Sequence, residues 1–238
     1  MNTTKIEFTK RKAEIDKYFK LLSSLDIGNC TLSCKKIDGS EIKQSIDTEL
    51  TKILKANGFL LLYNLVEAII THSINAIFNE IYRNELTFSM LSDKLKKLWI
   101  SQKTLPLNQG IDSINSAKIN ETLNEIVSNV IDNEVSLLEL KCVRISGNID
   151  AQEIRIIANK IGFEESSNGR HLVTIKEKRN FLSHGEYSFT EVGRNHTSQE
   201  LIEFKDDAYQ YLSDVITSIE NFLNERRFEK ANSQNLTV

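Results

Sequence analysis

A chain of 238 residues with 40% hydrophobic and 26% charged side chains lies near globular averages, which excludes a disordered or fibrous protein and leaves room for one large domain or two small ones. Its net charge of −3, from 33 acidic and 30 basic residues, excludes a global positive field that would draw it to nucleic acid or anionic lipid, so any phosphate site has to be local. Nine glycines and one proline, where average usage gives roughly 17 and 12, point to an all-α fold with few breaks.

The first residues, MNTTKIEFTKRK, hold no apolar signal core. Lys5 to Leu25 then carries Ile6, Ile15, Phe19, Leu22 and Leu25 at helical intervals among charged residues, which predicts an amphipathic helix. Residues 26 to 47, with Gly28, Asp38-Gly39 and the alternating Cys30, Leu32 and Cys34, read as a loop or small hairpin. From Asp47 to Asn84, Leu50, Ile53, Leu54, Leu61, Leu65, Ile69, Ile77 and Ile81 define a long helix. It is apolar almost all round between Phe59 and Ile70, so it is expected to be the central buried one. The most apolar run, Gly58 to Ile70, contains Asn64 and Glu67 and is shorter than a bilayer span, which sets the expectation of a cytoplasmic protein without a membrane segment.

Ser89 to Ser101 places Leu91, Leu95, Leu98 and Trp99 on one helical face and Lys94, Lys96 and Lys97 toward another, and Pro106 ends it. Asp112 to Ile131 repeats the helical period through Ile119, Leu123, Ile126 and Val130, while Val135 to Ile145 fits either period. Ser146-Gly147-Asn148 punctuates the chain. Asp150 is a cap for a short helix that closes near Ile161 with Gly162 behind it. Asn168 to His184 is helical in period and closes on Gly185, and a polar loop follows. Thr197 and Glu200 form a capping box for a last helix through Leu201, Phe204, Ala208, Tyr211, Leu212, Val215, Ile219 and Phe222. The tail after Phe228 reads as frayed. With no repeat and no Gly-, Ser- or Pro-rich linker, one helical domain is the economical reading: residues 1–46 as an extension, 47–228 as the core and 229–238 as the tail.

The chemistry concentrates on one predicted helix. Arg170, Lys176, Lys178 and Arg179 are opposed there only by Glu177, and His171 and His184 lie at its ends. Leu172, Ile175, Arg179 and Leu182 share a stripe, which turns a guanidinium toward the apolar side, a costly arrangement unless it is paired or opens onto a cleft. Asn180 and His184, four apart, share the adjoining face.

The string Arg179-Asn180-Phe181-Leu182-Ser183-His184 resembles the Arg, polar, three residues, His motif of HEPN domains (higher eukaryotes and prokaryotes nucleotide-binding). The flanking SGNIDAQEIRIIANKIGF and HGEYSFTEVGRNHTSQEL resemble a branch of that family found in bacterial defence and restriction-associated operons. The resemblance covers roughly residues 47 to 228. The Arg-to-His spacing alone is a weak signal; the asparagine, the helix-end position and the flanks sharpen it.

The resemblance implies a HEPN-like helical bundle, a homodimer with two motif copies facing one cleft, and a metal-independent endoribonuclease acting as a toxin or anti-phage effector. It also implies an RNA substrate, an antitoxin or defence-system partner protein and no cofactor. RNA cleavage needs a base for the 2′-hydroxyl, an acid for the leaving oxygen and a cation for the phosphorane. Histidine suits the first two and arginine the third. On this reading His184 is acid/base, Arg179 the phosphate clamp and Asn180 an orienting or phosphate contact, with Arg170, Lys176, Lys178 and Arg194 binding RNA. Some HEPN toxins carry a tyrosine two residues past the histidine that a partner nucleotidyltransferase modifies; Tyr187 stands three past and is the corresponding candidate.

Blander readings stand beside these. Arg179 as an ion pair with Glu67, and His184 as a cation favoured at a helix C-terminus, give a structural helix. A non-catalytic HEPN module binding RNA or nucleotide, or serving as a partner subunit, is the alternative function. A structural dimer without ligand is the third. Arg194 and His196 line the cleft or face solvent from a loop. Cys30 and Cys34 lack the second pair a zinc site requires. Lys94, Lys96, Lys97 and Trp99 form either an RNA-binding face or a solvated face over a core tryptophan.

Overall fold

The computed structural model describes residues 1–25, 30–107, 116–143, 145 and 147–231. The expectations for Gly28, for residues 112–115 and Ser146, and for residues 232–238 of the tail lie outside the described residues. Among the described residues the chain forms eight α-helices and one two-stranded sheet, and the all-α expectation holds. The chain divides into two compact units. The first comprises residues 1–4, 70–167 and 213–238, and the second residues 5–69 and 168–212.

In the second unit, α1 (Asn2–Leu25) contributes residues 5–25 and buries Phe8, Ile15, Phe19, Leu22 and Leu25. Ile6, expected on that stripe, is 69% exposed, because two residues before Phe8 is the opposite side of a helix. The expected hairpin is β1 (Thr31–Lys35) and β2 (Glu41–Ser45), antiparallel with Cys34 opposite Ile42. Its turn uses Asp38-Gly39 as the sequence indicates. Gly39 N–H donates to the Lys36 carbonyl at 3.0 Å, and Asp38 Oδ1 accepts from the Ser40 amide at 2.9 Å.

The first half of α2 (Thr48–Arg83) supplies the centre of this unit, with Phe59, Leu62, Tyr63, Leu65, Val66 and Ile69 all buried. As a whole α2 is long and apolar enough to cross a bilayer by composition, more than the run at 58–70 suggests, and its apolar residues here lie in the protein core. Against them pack α6 (Leu172–His184), α7 (Phe189–Arg194) and the start of α8 (Ser198–Asn224), which bury Leu172, Ile175, Val192, Leu201, Phe204 and Tyr211. The helix α7 occupies the stretch read as a polar loop. Its signal is a second capping box, Ser188 with Glu191, on a helix of only six residues. The first capping box is as read: Thr197 Oγ1 accepts from the Glu200 amide at 3.1 Å, and Glu200 Oε2 accepts from the Thr197 amide at 2.7 Å.

The first unit is built on the second half of α2 and the second half of α8. To these it adds α3 (Asp93–Thr104), α4 (Ser116–Ile131) and α5 (Ala151–Ile161). Ile74, Ile77, Leu95, Trp99, Ile157, Val215, Ile219 and Phe222 form its core, each such side chain contributing about 1.5–3 kcal/mol on burial. Among its described residues the segment of ambiguous period holds an isolated bridge and a 3-10 turn at Leu140–Cys142. Val135 bridges Thr87, and the buried Gln102 clamps it by donating to the Leu137 carbonyl at 3.0 Å and accepting from the Glu139 amide at 2.8 Å. Asp150 caps α5 through the Glu153 amide, and Gly162 ends it at φ +111°, both as read. Pro106 lies in a short 3-10 turn directly after α3. Of the periodic residues of α4, Leu123 and Val130 are 50% and 37% exposed while Ile119 and Ile126 are half-buried, and the residue α4 buries is Thr122.

One glycine sets how closely α7 approaches α2. A Cβ on Gly193 would lie 1.9 Å from the Lys52 carbonyl oxygen, and neither backbone can yield without moving a helix. Gly193→Ala is expected to lower stability by about 1–3 kcal/mol, the range for forced overpacking. Denaturant unfolding measures this, and an unchanged midpoint would contradict the packing described.

Candidate functional site

The residues singled out in the sequence gather on α6 and α7 of the second unit. Leu172 and Ile175 are buried at 2% and 1% exposure and anchor α6. The same stripe brings Arg179 over α2, as its seven-residue spacing from Leu172 requires. The guanidinium carbon of Arg179 lies 4.3 Å from the centroid of the buried Tyr63 ring, and Nη1 donates to Asn180 Oδ1 at 3.0 Å. A partly desolvated cation–π contact of this kind is worth about 0.5–2 kcal/mol. It holds the cation against the ring face and fixes where the positive charge sits on α6.

Tyr63 carries no sequence signal. It sits in the stretch of α2 that is apolar all round, and only the fold shows that it holds the arginine.

His184 is the last residue of α6 and is exposed. Gly185, at φ +70°, closes the helix by donating its N–H to the Phe181 carbonyl, as the sequence indicates. His184 follows Asn180 by four residues, so the two share a face, whereas Arg179 is five residues away and lies to the side. Tyr187, 48% exposed, folds back on α6 with its ring edge-on to Phe181 at 5.0 Å. Lys178 lies over the same Phe181 ring at 5.4 Å.

The basic residues are less concentrated than their sequence order suggests. Arg170 precedes α6 and is tied to its neighbour, Nε donating to His171 Nε2 at 2.7 Å. A helix rising 1.5 Å per residue puts it about 20 Å from His184. Lys176 and Lys178, two residues apart, look to different sides of α6. Arg194 ends α7 and is exposed, on a helix and not in a loop as expected. Glu191 on the same helix has its carboxyl held below the usual range, first by the Ser188 hydroxyl and amide and only last by Arg194.

His196 is neither a cleft residue nor a solvated one. Its ring packs at 5.0 Å from Phe59 and 5.8 Å from Phe204, and His171 lies 4.5 Å from the same Phe204 ring. Neither ring nitrogen of His196 is solvent-accessible or hydrogen-bonded. Burial lowers its pKa from the ordinary 6.5, and the positive charge of Lys178 adds to this. Trp99, read as a stacking surface or a core residue, is a core residue, 2% exposed.

Chemically, the arrangement offers a planar cation held on an aromatic ring, a neighbouring amide, and an accessible imidazole on the same helix. It supplies one imidazole per chain. A family model described as HEPN_MAE_28990-like HEPN matches residues 3–228. The match takes in α1 and the hairpin, which the resemblance over residues 47 to 228 does not cover. Comparisons with curated proteins and with solved structures give no significant match.

A pH dependence follows from His196. Its folded pKa is below 6.5, so between that lowered value and 6.5 the unfolded chain binds more protons. Stability therefore rises with pH through this window, is fully gained above about 6.5, and is lost as pH falls. Unfolding free energy at pH 5 and 7 is expected to differ more in the wild type than in His196→Phe; equal differences would show that His196 is not buried neutral.

Proposed function

The chain belongs to the HEPN_MAE_28990-like HEPN family, a group of nucleotide- and RNA-related domains that are often ribonucleases, and we propose that it is an endoribonuclease whose active site is made by two copies of the chain. The observation that carries this reading is Arg179, fixed on Tyr63 and bonded to Asn180, on the same helix as an exposed His184.

In the proposed reaction a 2′-hydroxyl of RNA gives its proton to the neutral His184 imidazole of one protomer, and its oxygen attacks the adjacent phosphorus. The bond from phosphorus to the 5′-oxygen breaks, and that oxygen takes a proton from the imidazolium of the second protomer's His184. Products are a 2′,3′-cyclic phosphate and a 5′-hydroxyl. Arg179 meets the charge that develops on the phosphorane, where a forked cation is most effective. Asn180 orients the guanidinium or donates to the phosphate. Two imidazoles are required because one cannot readily serve as acid and base in the same step.

Juxtaposing two copies also doubles the local positive charge of α6, which a chain at −3 needs in order to hold a polyanion. The wider role is a toxin or anti-phage effector in the cytoplasm, restrained by a partner protein, with Tyr187 exposed for modification.

The assay is purified protein with total RNA and tRNA. Arg179→Ala and His184→Ala are each expected to lose cleavage by about 10²–10⁴-fold while far-UV dichroism stays helical. Cleavage is expected to persist in EDTA and to stop when deoxyribose replaces the ribose before the cut. Intact RNA from a dimer near twice the 27.2 kDa chain, or cleavage of DNA, would overturn the assignment in favour of a binding module or a different nuclease.

A further inference from the structure

We propose that the first unit carries a binding site for a phosphomonoester, in the cavity between α3, the end of α5 and the 3-10 turn at Leu140–Cys142. The site is independent of the motif on α6, and nothing in the reaction proposed above uses it.

The cavity measures ≈ 320 Å³, at the lower end of the ~300–1,000 Å³ common for small-molecule sites. Lys94 and Lys97 reach it from α3 and Lys160 from the last turn of α5, and no carboxylate lines it. In a chain where acids outnumber bases, three such cations without a counter-charge stand out. Elsewhere in this unit Lys96 pairs with Asp93 at 3.8 Å, Lys103 with Glu125 at 2.6 Å and Lys141 with Glu139 at 2.8 Å. Lys94, Lys97 and Lys160 have no ion-pair partner among the described residues. On the loop after α5, Glu165 is engaged by the Asn159 amide at 2.8 Å and Glu164 by Arg227 at 3.1 Å.

The floor is apolar, made by Leu98 and Cys142, 4% and 7% exposed. Burial pushes the Cys142 thiol up to about 11, so it presents a neutral sulfur and no competing thiolate. Three lysines lining a cavity with an apolar floor fit a group carrying nearly two negative charges at pH 7 on a small organic body. A phosphodiester within a nucleic-acid backbone has one charge and no free end to seat. The phosphomonoester has two sources of the same chemistry, a free metabolite or the 5′-phosphorylated end of an RNA.

The test is calorimetric titration of the full chain with phenyl phosphate and with inorganic phosphate. The proteins compared are the wild type, Lys97→Ala/Lys160→Ala and His184→Ala. Phenyl phosphate is expected to bind one per chain, more tightly than inorganic phosphate, and about a hundredfold weaker in the double variant, each of the two lost charged contacts costing roughly tenfold. His184→Ala is expected to bind as the wild type does, which keeps this result separate from the fate of the nuclease reading. Both lysines are exposed, and an unchanged thermal midpoint checks that the double variant is folded. Equal affinity in the double variant and wild type, no saturable binding, or equal affinity for the two probes would each overturn the proposal. On the His184→Ala background, a preference for 5′-phosphorylated over 5′-hydroxyl RNA that the double variant loses assigns the site to RNA ends. The same titration without that preference assigns it to a free phosphomonoester.

Discussion

The candidate site depends on one contact: the Arg179 guanidinium lying 4.3 Å above the Tyr63 ring. A cation turned toward the apolar side of a helix is costly unless the protein gives it a partner that replaces water. Tyr63 does this through its π-face, which takes up the charge without using the guanidinium's N–H donors, and Asn180 takes one of those donors. The position of α6 on α2 follows from the same need, because Leu172 and Ile175 bury themselves along the stripe that delivers the arginine. A lysine in its place would keep the charge but lose the stacking and the fork.

How far the sequence reveals this depends on whether each signal is local. The extents of α2 and α8, the Thr197–Glu200 capping box, Asp150 and Gly162 around α5, and Gly185 behind His184 are all written in residues close along the chain, and all are found. The turn residues Asp38-Gly39 point to a hairpin for the same reason. What a period cannot state is which element covers which face. The apolar stripe of α4 therefore reads as core although Leu123 and Val130 are exposed and Ile119 and Ile126 only half-buried. His196 reads as a cleft-lining or solvent-facing loop residue although Phe59 and Phe204, apart from it along the chain, enclose it. The capping box of α7 is equally local, but a six-residue helix is too short to show a period.

Charge follows the same division. At a net −3 the protein cannot attract polyanions as a whole, so what counts is where opposite charges fail to meet. The basic residues at and before α6 are dispersed, with Arg170 ahead of the helix engaged by His171 and Lys178 drawn over Phe181. The functional weight accordingly falls on Arg179, Asn180 and His184 and on the doubling that a second copy supplies. In the first unit the cavity lined by Lys94, Lys97 and Lys160 is a place where cations meet without an acid among its lining residues.

The claim at the centre of this account is that two His184 imidazoles, one from each protomer, act in a single cleft. It is tested most directly by refolding wild-type chain with His184→Ala in varying proportion and measuring RNA cleavage against the wild-type fraction. If both imidazoles are required, activity follows the square of that fraction, and an equal mixture of randomly paired dimers retains about a quarter of full activity. A linear dependence, with about half retained, would mean that one chain cleaves alone and would contradict the composite site.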